Sequence, residues 1–223
     1  VAIVDETADL AKAAKDISDG ASFDNNIMCI SEKCIVAVES IVPAFVKQLE
    51  ENGVYYIDNE TEMLQLTKTV LNHDMKMVRK MEGKSAMDIL EEAGIHPNRP
   101  VRLVVVRTFA KHPLVLEECL MPVVPLVAVA DFEEALETAL FTEQGYRHTA
   151  MVHSQCIDRL SKAAKIMNTT VFIKNGSSLA GIGLNGEEMA SFTIANVTGE
   201  GITTVRDFAC KRSCTLTSGF SLR

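Results

Sequence analysis

The 223-residue sequence has no tryptophan, only six cysteines, no long hydrophobic run and no cluster of basic residues. Its longest apolar stretches, 101–106 and 120–130, are interrupted by Arg102, Pro122 and Pro125, and neither reaches the ~18 residues that span a bilayer. The 30 acidic residues outnumber the 22 basic ones and give a formal charge of −8, which would repel a polyanion. We therefore expect no membrane and no nucleic acid among its partners.

The cysteines do not suit a disulfide framework or a metal site. Six in 223 residues are sparse, and the start VAIVDETADL lacks the basic region of a secretory signal, so reduced thiols are expected. The closest pairs, Cys29/Cys34 and Cys210/Cys214, lack CxxC spacing and have no second ligand pair, so no metal is predicted. The sequence begins directly with apolar residues typical of a buried strand, so we expect this chain to be a piece of a longer polypeptide.

Short β-rich runs alternate with longer helical ones up to about residue 174. The run VRLVVVR at 101–107 is β-branched on nearly every residue, as in a strand that is buried on both faces. Strands separated by 10–15-residue helices indicate βαβ units, so the predicted fold is a three-layer α/β/α arrangement with a mostly parallel sheet. Helices are predicted at 7–18 (capped by Thr7), 42–51, 61–81, 85–92, 131–143 and 156–167.

The composition changes after Lys174, where glycines crowd 176–186. The letters GIGLNG at 181–186 match GxGxxG, but a dinucleotide fingerprint needs a strand directly before and a helix directly after, and neither is predicted there. The closing CTLTSGFSLR has strand character, and a terminal strand without a following helix commonly pairs outside its domain. We predict one α/β domain over 1–185 and a connecting segment with an oligomerisation tail over 186–223.

The stretch SFDNNIMCIS at 22–31 joins a predicted helix to a predicted strand, where α/β folds place functional groups. Phe23 is expected to anchor this loop in the core, and Asp24–Asn26 suit turn geometry. Cys29 follows at a point where a thiolate could meet backbone N–H donors. The residues alone leave open whether Cys29 is a nucleophile or a packed hydrophobe, because its immediate neighbours are apolar.

SFDNNIMCISEKCIVAV resembles the nucleophile segment of the aldehyde dehydrogenase superfamily, in particular its CoA-acylating branch of ethanolamine- and propanediol-utilisation enzymes. Three further segments resemble the family in the same order: HPLVLEECLMPVVPLV at 112–127, GYRHTAMVHS at 145–154 and SFTIANVTGEGIT at 191–203. The resemblance runs over the whole chain. It implies the fold of the family's catalytic domain, with the N-terminal NAD-binding half absent.

The resemblance also implies roles for individual residues. Cys29 would attack the aldehyde carbonyl and carry a thioester, whose acyl group passes to coenzyme A in place of water. Glu118 aligns with the family glutamate that holds the nicotinamide ribose of NAD, and Leu120 and Pro122 would line the same pocket. His148 is the best candidate for a general acid or base, although a histidine that opens a strand is as often structural.

Two other functions stay open: a hydrolytic aldehyde dehydrogenase, whose general base would fall before Val1, and a non-catalytic assembly or cargo module. The expected partners are a short-chain aldehyde, further copies in a homo-oligomer and the shell proteins of a bacterial microcompartment. The expected location is the cytoplasm or the lumen of such a compartment, and the chain alone is expected to be inactive. The remaining cysteines are assigned to structure: Cys34, Cys119, Cys156, Cys210 and Cys214.

Overall fold

A computed structural model describes residues 1–187, 189–194 and 201–219 and contains one parallel seven-stranded sheet. The strands stand in the order β3-β4-β5-β2-β1-β6-β7, and all six pairings are parallel. This confirms the predicted sheet. The strands are β1 Ala2–Val4, β2 Ile35–Val38, β3 Val54–Ile57, β4 Leu103–Thr108, β5 Val123–Val129, β6 Thr149–His153 and β7 Val171–Lys174.

Helices cover both faces of the sheet, so the molecule has the predicted three layers. Helices α1 and α2 pack on the face that carries Val105 and Ala37, whereas the other long helices pack on the face that carries Val104 and Val36. Both faces of the central strands are therefore apolar, as expected for a buried parallel sheet. The helices are α1 Leu10–Ser22, α2 Val42–Glu51, α3 Glu60–Val70, α4 Ala86–Glu92, α5 Pro113–Leu116, α6 Phe132–Glu143 and α7 Ile157–Met167.

The predicted helix over 61–81 was wrong beyond Val70, where α3 ends. The side-chain oxygen of Asn72 accepts hydrogen bonds from the N–H groups of Asp74 and Lys76, at 2.9 and 3.0 Å. Met75 follows in a left-handed conformation with φ of 58°. The asparagine thus offers the backbone a turn that competes with the helix.

The expected N-terminal cap of α1 was also wrong. Asp9, not Thr7, caps α1 by accepting from the N–H of Lys12, while the Thr7 hydroxyl donates to Asp5 at 2.6 Å. The described tail over 204–219 contains no strand, and Thr193 and Thr203 form only an isolated bridge. Parts of the predicted segments, at 195–200 and 220–223, lie outside the described residues. Among the residues described, no helix combines the length and apolarity needed to cross a membrane.

A buried carboxylate fixes the segment before β2 against a distant turn. Glu32 is fully buried, and its two oxygens accept from the backbone N–H and the hydroxyl of Ser178, each at 2.8 Å. Gly20 in α1 faces this pair, since a Cβ built there would lie 2.2 Å from Glu32 Oε2 and 2.5 Å from Ser178 Oγ. Burial raises the pKa of Glu32 to about 7, against the hydrogen bonds from Ser178.

We expect Gly20→Ala to destabilise the chain, although alanine is the better helix former by about 1 kcal/mol. The new methyl group would collide with the Glu32 carboxylate, and overpacking of this kind costs about 1–3 kcal/mol. Urea unfolding followed by circular dichroism measures the change. Ala11→Gly, at an exposed position of the same helix, gives the propensity effect alone, and a stabilised Gly20→Ala variant would contradict the contact.

The raised pKa of Glu32 predicts a specific pH dependence of stability. The folded chain holds this proton at pH values where the unfolded chain, at the ordinary pKa of 4.5, has lost it. The stabilisation is therefore full below about pH 4.5 and is lost as the pH rises through about 7. The side chain in the Glu32→Gln variant cannot titrate. The unfolding free energy of this variant should therefore rise relative to that of the wild type between about pH 4.5 and 7. A difference in unfolding free energy that stays constant from pH 4.5 to 7.5 would contradict the prediction. Glu137→Gln, at an exposed position, serves as the control.

Candidate active site

The loop between α1 and β2 forms a left-handed turn at three successive residues. Asp24, Asn25 and Asn26 have φ of 47°, 51° and 61°, a conformation that Asn and Asp tolerate better than other non-glycine residues. The amide of Asn25 donates to the Gly83 carbonyl at 2.9 Å. The predicted turn is thus confirmed, but Phe23 is 47% exposed and does not anchor the loop in the core as expected.

Asn26 ties this turn to the structure on both sides. It is fully buried, and its amide donates to the carbonyls of Ala21 at 2.7 Å and of Glu32 at 3.1 Å. The ammonium of Lys33 donates to the backbone carbonyl of Asn26 and, at 2.6 Å, to its side-chain oxygen. The path of the chain between Asn26 and Lys33, which includes Cys29, is therefore held at both ends.

Cys29 differs from the other cysteines near it. Its side chain is exposed, whereas Cys34 and Cys119 are buried, and burial raises the pKa of each of these two thiols to about 12. These two are the packed cysteines that the sequence predicts. Cys210 and Cys214 are exposed in the described tail, and their assignment to structure stays a prediction.

The cleft next to Cys29 has a volume of about 580 Å³ and lies at the amino ends of four neighbouring strands. Cys29 and Lys33 precede β2, Glu118 precedes β5, and His148 precedes β6, while Val1 precedes β1. Because these strands stand in the order β5-β2-β1-β6, residues far apart in sequence meet at one sheet edge. The cleft is lined, among others, by Cys29, Lys33, Glu118, Glu143, Tyr146 and His148.

Glu118 is exposed in this cleft and accepts no hydrogen bond from another residue in the described ranges. Its neighbour Glu117 is instead paired with Lys76, at 2.7 Å between Nζ and Oε2. The two remaining predicted residues lie elsewhere: Leu120 is half-buried and Pro122 buried, and neither lines the cleft. Their contact with a cofactor stays a prediction.

His148 is half-buried at the cleft wall. Its Nδ1 lies 2.7 Å from the Thr149 hydroxyl, and its backbone N–H donates to Glu143 at 3.2 Å. Burial lowers the pKa of the imidazole, against the nearby Glu118 carboxylate. A neutral ring near pH 7 can accept a proton, which suits a general base.

Lys33 is the functional candidate that the sequence reasoning missed. It is half-buried and lines the cleft with Cys29 and Glu118. Burial lowers its pKa to about 8, while the charges of Glu118, Cys119 and Cys29 raise it. The signal in the sequence was a lysine directly before a wholly apolar strand. Among the described residues, no group of three or more Cys, His, Asp or Glu side chains is placed to hold a metal ion.

The GIGLNG stretch belongs to a different part of the surface. The short 3-10 helix Ser178–Ile182 ends at Gly183, with φ of 96°, and the described residues that follow form no helix. Leu184–Gly186 line a separate cleft with Lys12 and Asn175. The strand-to-helix geometry of a dinucleotide fingerprint is absent from the described part of this segment.

Comparison with known proteins gives a consistent picture. The family model described as the aldehyde dehydrogenase family matches residues 1–185. The propanal dehydrogenase (CoA-propanoylating) of Salmonella typhimurium is 47% identical over 223 residues, which are 99% of this chain and 47% of that protein. The acetaldehyde dehydrogenase (acetylating) of the same organism is 40% identical, over 99% of this chain and 48% of that protein.

Solved structures of similar sequence have the same fold. A Rhodopseudomonas palustris propionaldehyde dehydrogenase, with bound CoA and an acylated cysteine, is 41% identical with a TM-score of 0.92 over 96% of this chain and 49% of that one. A Clostridium phytofermentans propionaldehyde dehydrogenase from a fucose-utilisation microcompartment is 38% identical, with a TM-score of 0.89 over 100% and 51%. An engineered glycolyl-CoA reductase with bound NADP+ is 42% identical, with a TM-score of 0.91 over 96% and 49%.

The chain spans about half the length of the curated relatives that it matches. The family match nevertheless covers most of its own residues, and the seven-stranded parallel sheet superposes on solved members with TM-scores near 0.9. This chain belongs to the aldehyde dehydrogenase family.

Proposed function

We propose that this chain carries the nucleophile of a CoA-acylating aldehyde dehydrogenase, which converts a short-chain aldehyde, NAD and CoA to acyl-CoA and NADH. The carrying observation is the exposed Cys29 beside a fixed left-handed turn, in one cleft with Glu118 and His148. Relatives named as CoA-propanoylating and acetylating enzymes, similar over nearly the whole chain, favour acyl transfer to CoA over hydrolysis.

Cys29 supplies the covalent step in this proposal. Its thiolate adds to the aldehyde carbonyl, and after oxidation the acyl group remains on sulfur as a thioester. The backbone N–H of Cys29 makes no hydrogen bond to the described residues, so it is available to an oxyanion on the substrate. The acylated cysteine in the Rhodopseudomonas palustris relative supports a thioester route.

Glu118 fits the role of holding the cofactor. An exposed carboxylate without a hydrogen-bonding partner in the described part of the cleft has both oxygens free to accept ribose hydroxyls. When bound, NAD supplies the acceptor for the hydride that the aldehyde carbon loses. The residues of this chain hold the substrate carbon at Cys29 and bind the ribose.

His148 is assigned the proton transfer that accompanies acyl transfer. The CoA thiol must lose a proton to attack the thioester, and the released Cys29 sulfur gains one. A neutral imidazole on the wall of the same cleft can carry this proton between the two sulfurs. The Thr149 hydroxyl, 2.7 Å from Nδ1, fixes the orientation of the ring.

The proposal extends to the organisation of the protein. We assign residues 1–185 to the catalytic domain and 186–223 to an oligomerisation tail, with the NAD-binding half supplied by residues outside this chain. A homo-oligomer in the cytoplasm, or in the lumen of a bacterial microcompartment with its shell proteins, fits this assignment. It is supported by a similar structure from a microcompartment.

The proposal predicts a half-reaction, acyl transfer to Cys29, that needs only this chain. Propionyl-CoA should transfer its acyl group to the Cys29 thiol and release CoA as the free thiol, because acyl exchange between a thioester and a thiol requires neither NAD nor a redox change. Peptide mass spectrometry locates the acyl group. Cys29→Ala should abolish the transfer, and Cys34→Ala, at a buried cysteine, should retain it.

The exposed Cys210 and Cys214 act as internal references in the same sample. Acylation of these residues as fast as that of Cys29, or no acylation of Cys29, would contradict the proposal. Continuous release of free propionate from acylated Cys29 would favour the hydrolytic reaction instead.

The proposed role of His148 also predicts the effect of replacing it. His148→Gln should slow acyl exchange at Cys29 by about 100-fold, the usual effect of losing a general base. Burial lowers the pKa of His148 from 6.5, so the wild-type rate should hold through pH 6.5 and decline only below it. Rates of acylation from pH 5 to 8 test both points, with His73→Gln on the surface as the control. An unchanged rate in His148→Gln would leave this histidine a structural role only.

A further inference from the structure

Lys33 is a cation in the cleft that the proposed reaction does not yet use. Its half-buried side chain reaches the cleft that also holds Cys29 and Glu118. We propose that Lys33 is a positioning residue whose positive charge, held in place by Asn26, favours the thiolate form of Cys29 over the thiol. This inference rests on the proposed role of Cys29 and adds the group that prepares it.

The ammonium of Lys33 is fixed rather than free. A lysine side chain carries its ammonium on a flexible four-carbon stem and normally loses much conformational entropy when that charge is held in one place. Here it donates to two oxygens of Asn26, the backbone carbonyl and the side-chain oxygen. Asn26 is itself fully buried and bonded to the carbonyls of Ala21 and Glu32. The positive charge therefore stays beside the nucleophile loop.

The charges of Lys33 and Cys29 act on each other. Burial lowers the pKa of Lys33 to about 8, and the negative charge of Glu118, followed by that of an ionised Cys29, opposes this. On this proposal, the fixed positive charge in the same cleft attracts a thiolate at Cys29 more than a neutral thiol. Below about pH 8 the lysine keeps its charge and can exert this effect.

The other titratable groups of the cleft do not supply the same charge. Glu118, Glu143 and Tyr146 carry no positive charge in any protonation state, so none of them attracts a thiolate. Lys76 is paired with Glu117 at 2.7 Å. Burial lowers the pKa of both His148 and the α-amino group of Val1. Lys33 and Lys76 are the two lysines among the described residues that line the cleft, and Lys33 is the one without a hydrogen-bonded carboxylate.

Alkylation by iodoacetamide tests the inference, since only the thiolate reacts. The rate at Cys29 is measured by site-resolved mass spectrometry from pH 6 to 10, relative to the exposed Cys214 of the same chain. Three variants separate charge from hydrogen bonding: Lys33→Arg keeps both, Lys33→Gln keeps a donor for Asn26 but no charge, and Lys33→Met keeps neither.

We expect Lys33→Gln and Lys33→Met to label Cys29 about tenfold more slowly at pH 7, the effect of losing a nearby opposite charge. Their profiles should move to higher pH and approach the wild type above about pH 8, where Lys33 loses its own charge. Lys33→Arg should stay near the wild type. Far-UV circular dichroism checks the fold, and if Lys33→Met does not fold, Lys33→Gln carries the test.

Two results would overturn the inference. An unshifted profile in Lys33→Gln, with slow labelling in Lys33→Met alone, would mean that the hydrogen bond to Asn26 matters and the charge does not. Slow labelling in Lys33→Arg as well would mean that charge is not the cause. The assay uses neither CoA nor NAD, so a charge effect without acylation by propionyl-CoA would refute the proposed function and leave the action of Lys33 on Cys29 standing.

Discussion

The buried amide of Asn26 is the constraint on which the geometry of the candidate site depends. Three successive residues in the left-handed region, Asp24 to Asn26, cost about 1–2 kcal/mol each. They persist because Asn26 donates to Ala21 and Glu32 and accepts from Lys33, so every part of its side chain is used. Without these bonds, nothing in the local sequence would hold Cys29 exposed at the edge of a sheet whose central strands β1 and β2 are wholly buried.

The fold places this site at an edge that open α/β proteins use less often. Ligands of parallel sheets usually bind beyond the carboxyl ends of the strands. Here the cleft residues come directly before β1, β2, β5 and β6, which stand side by side at the centre of the sheet. The helix-to-strand connections, not the strand-to-helix ones, therefore carry the chemistry. Those connections place a thiol, a carboxylate, an imidazole and an ammonium around about 580 Å³ of space.

Much of this arrangement could be predicted because it is encoded locally. Helices such as α2 follow from short patterns of apolar residues and turn residues, and α2 was predicted with the correct ends. The end of α3 was missed because the decisive interaction is made by one side chain, that of Asn72. The site was harder: Ser178 bonds to Glu32 across 146 positions, and no periodicity reports such a contact. Cys29 and His148 were identified through resemblance to a family. That resemblance implied no role for Lys33.

Glu32 and Lys33 show what the site costs the fold. The two neighbours in sequence go in different directions, Glu32 to Ser178 and Lys33 to Asn26. Burial disfavours the charge on both, bringing the pKa of the acid up to about 7 and that of the base down to about 8. Apolar residues of similar volume often serve stability as well as buried charges do. Their positions explain the pair better: the buried acid ties the segment before β2 to Ser178, and the lysine ties it back to Asn26, with its positive charge in the cleft of Cys29. On the proposed function, stability is given up there to hold a reactive cysteine in place, as is usual where a sequence departs from the simplest way to fill a core.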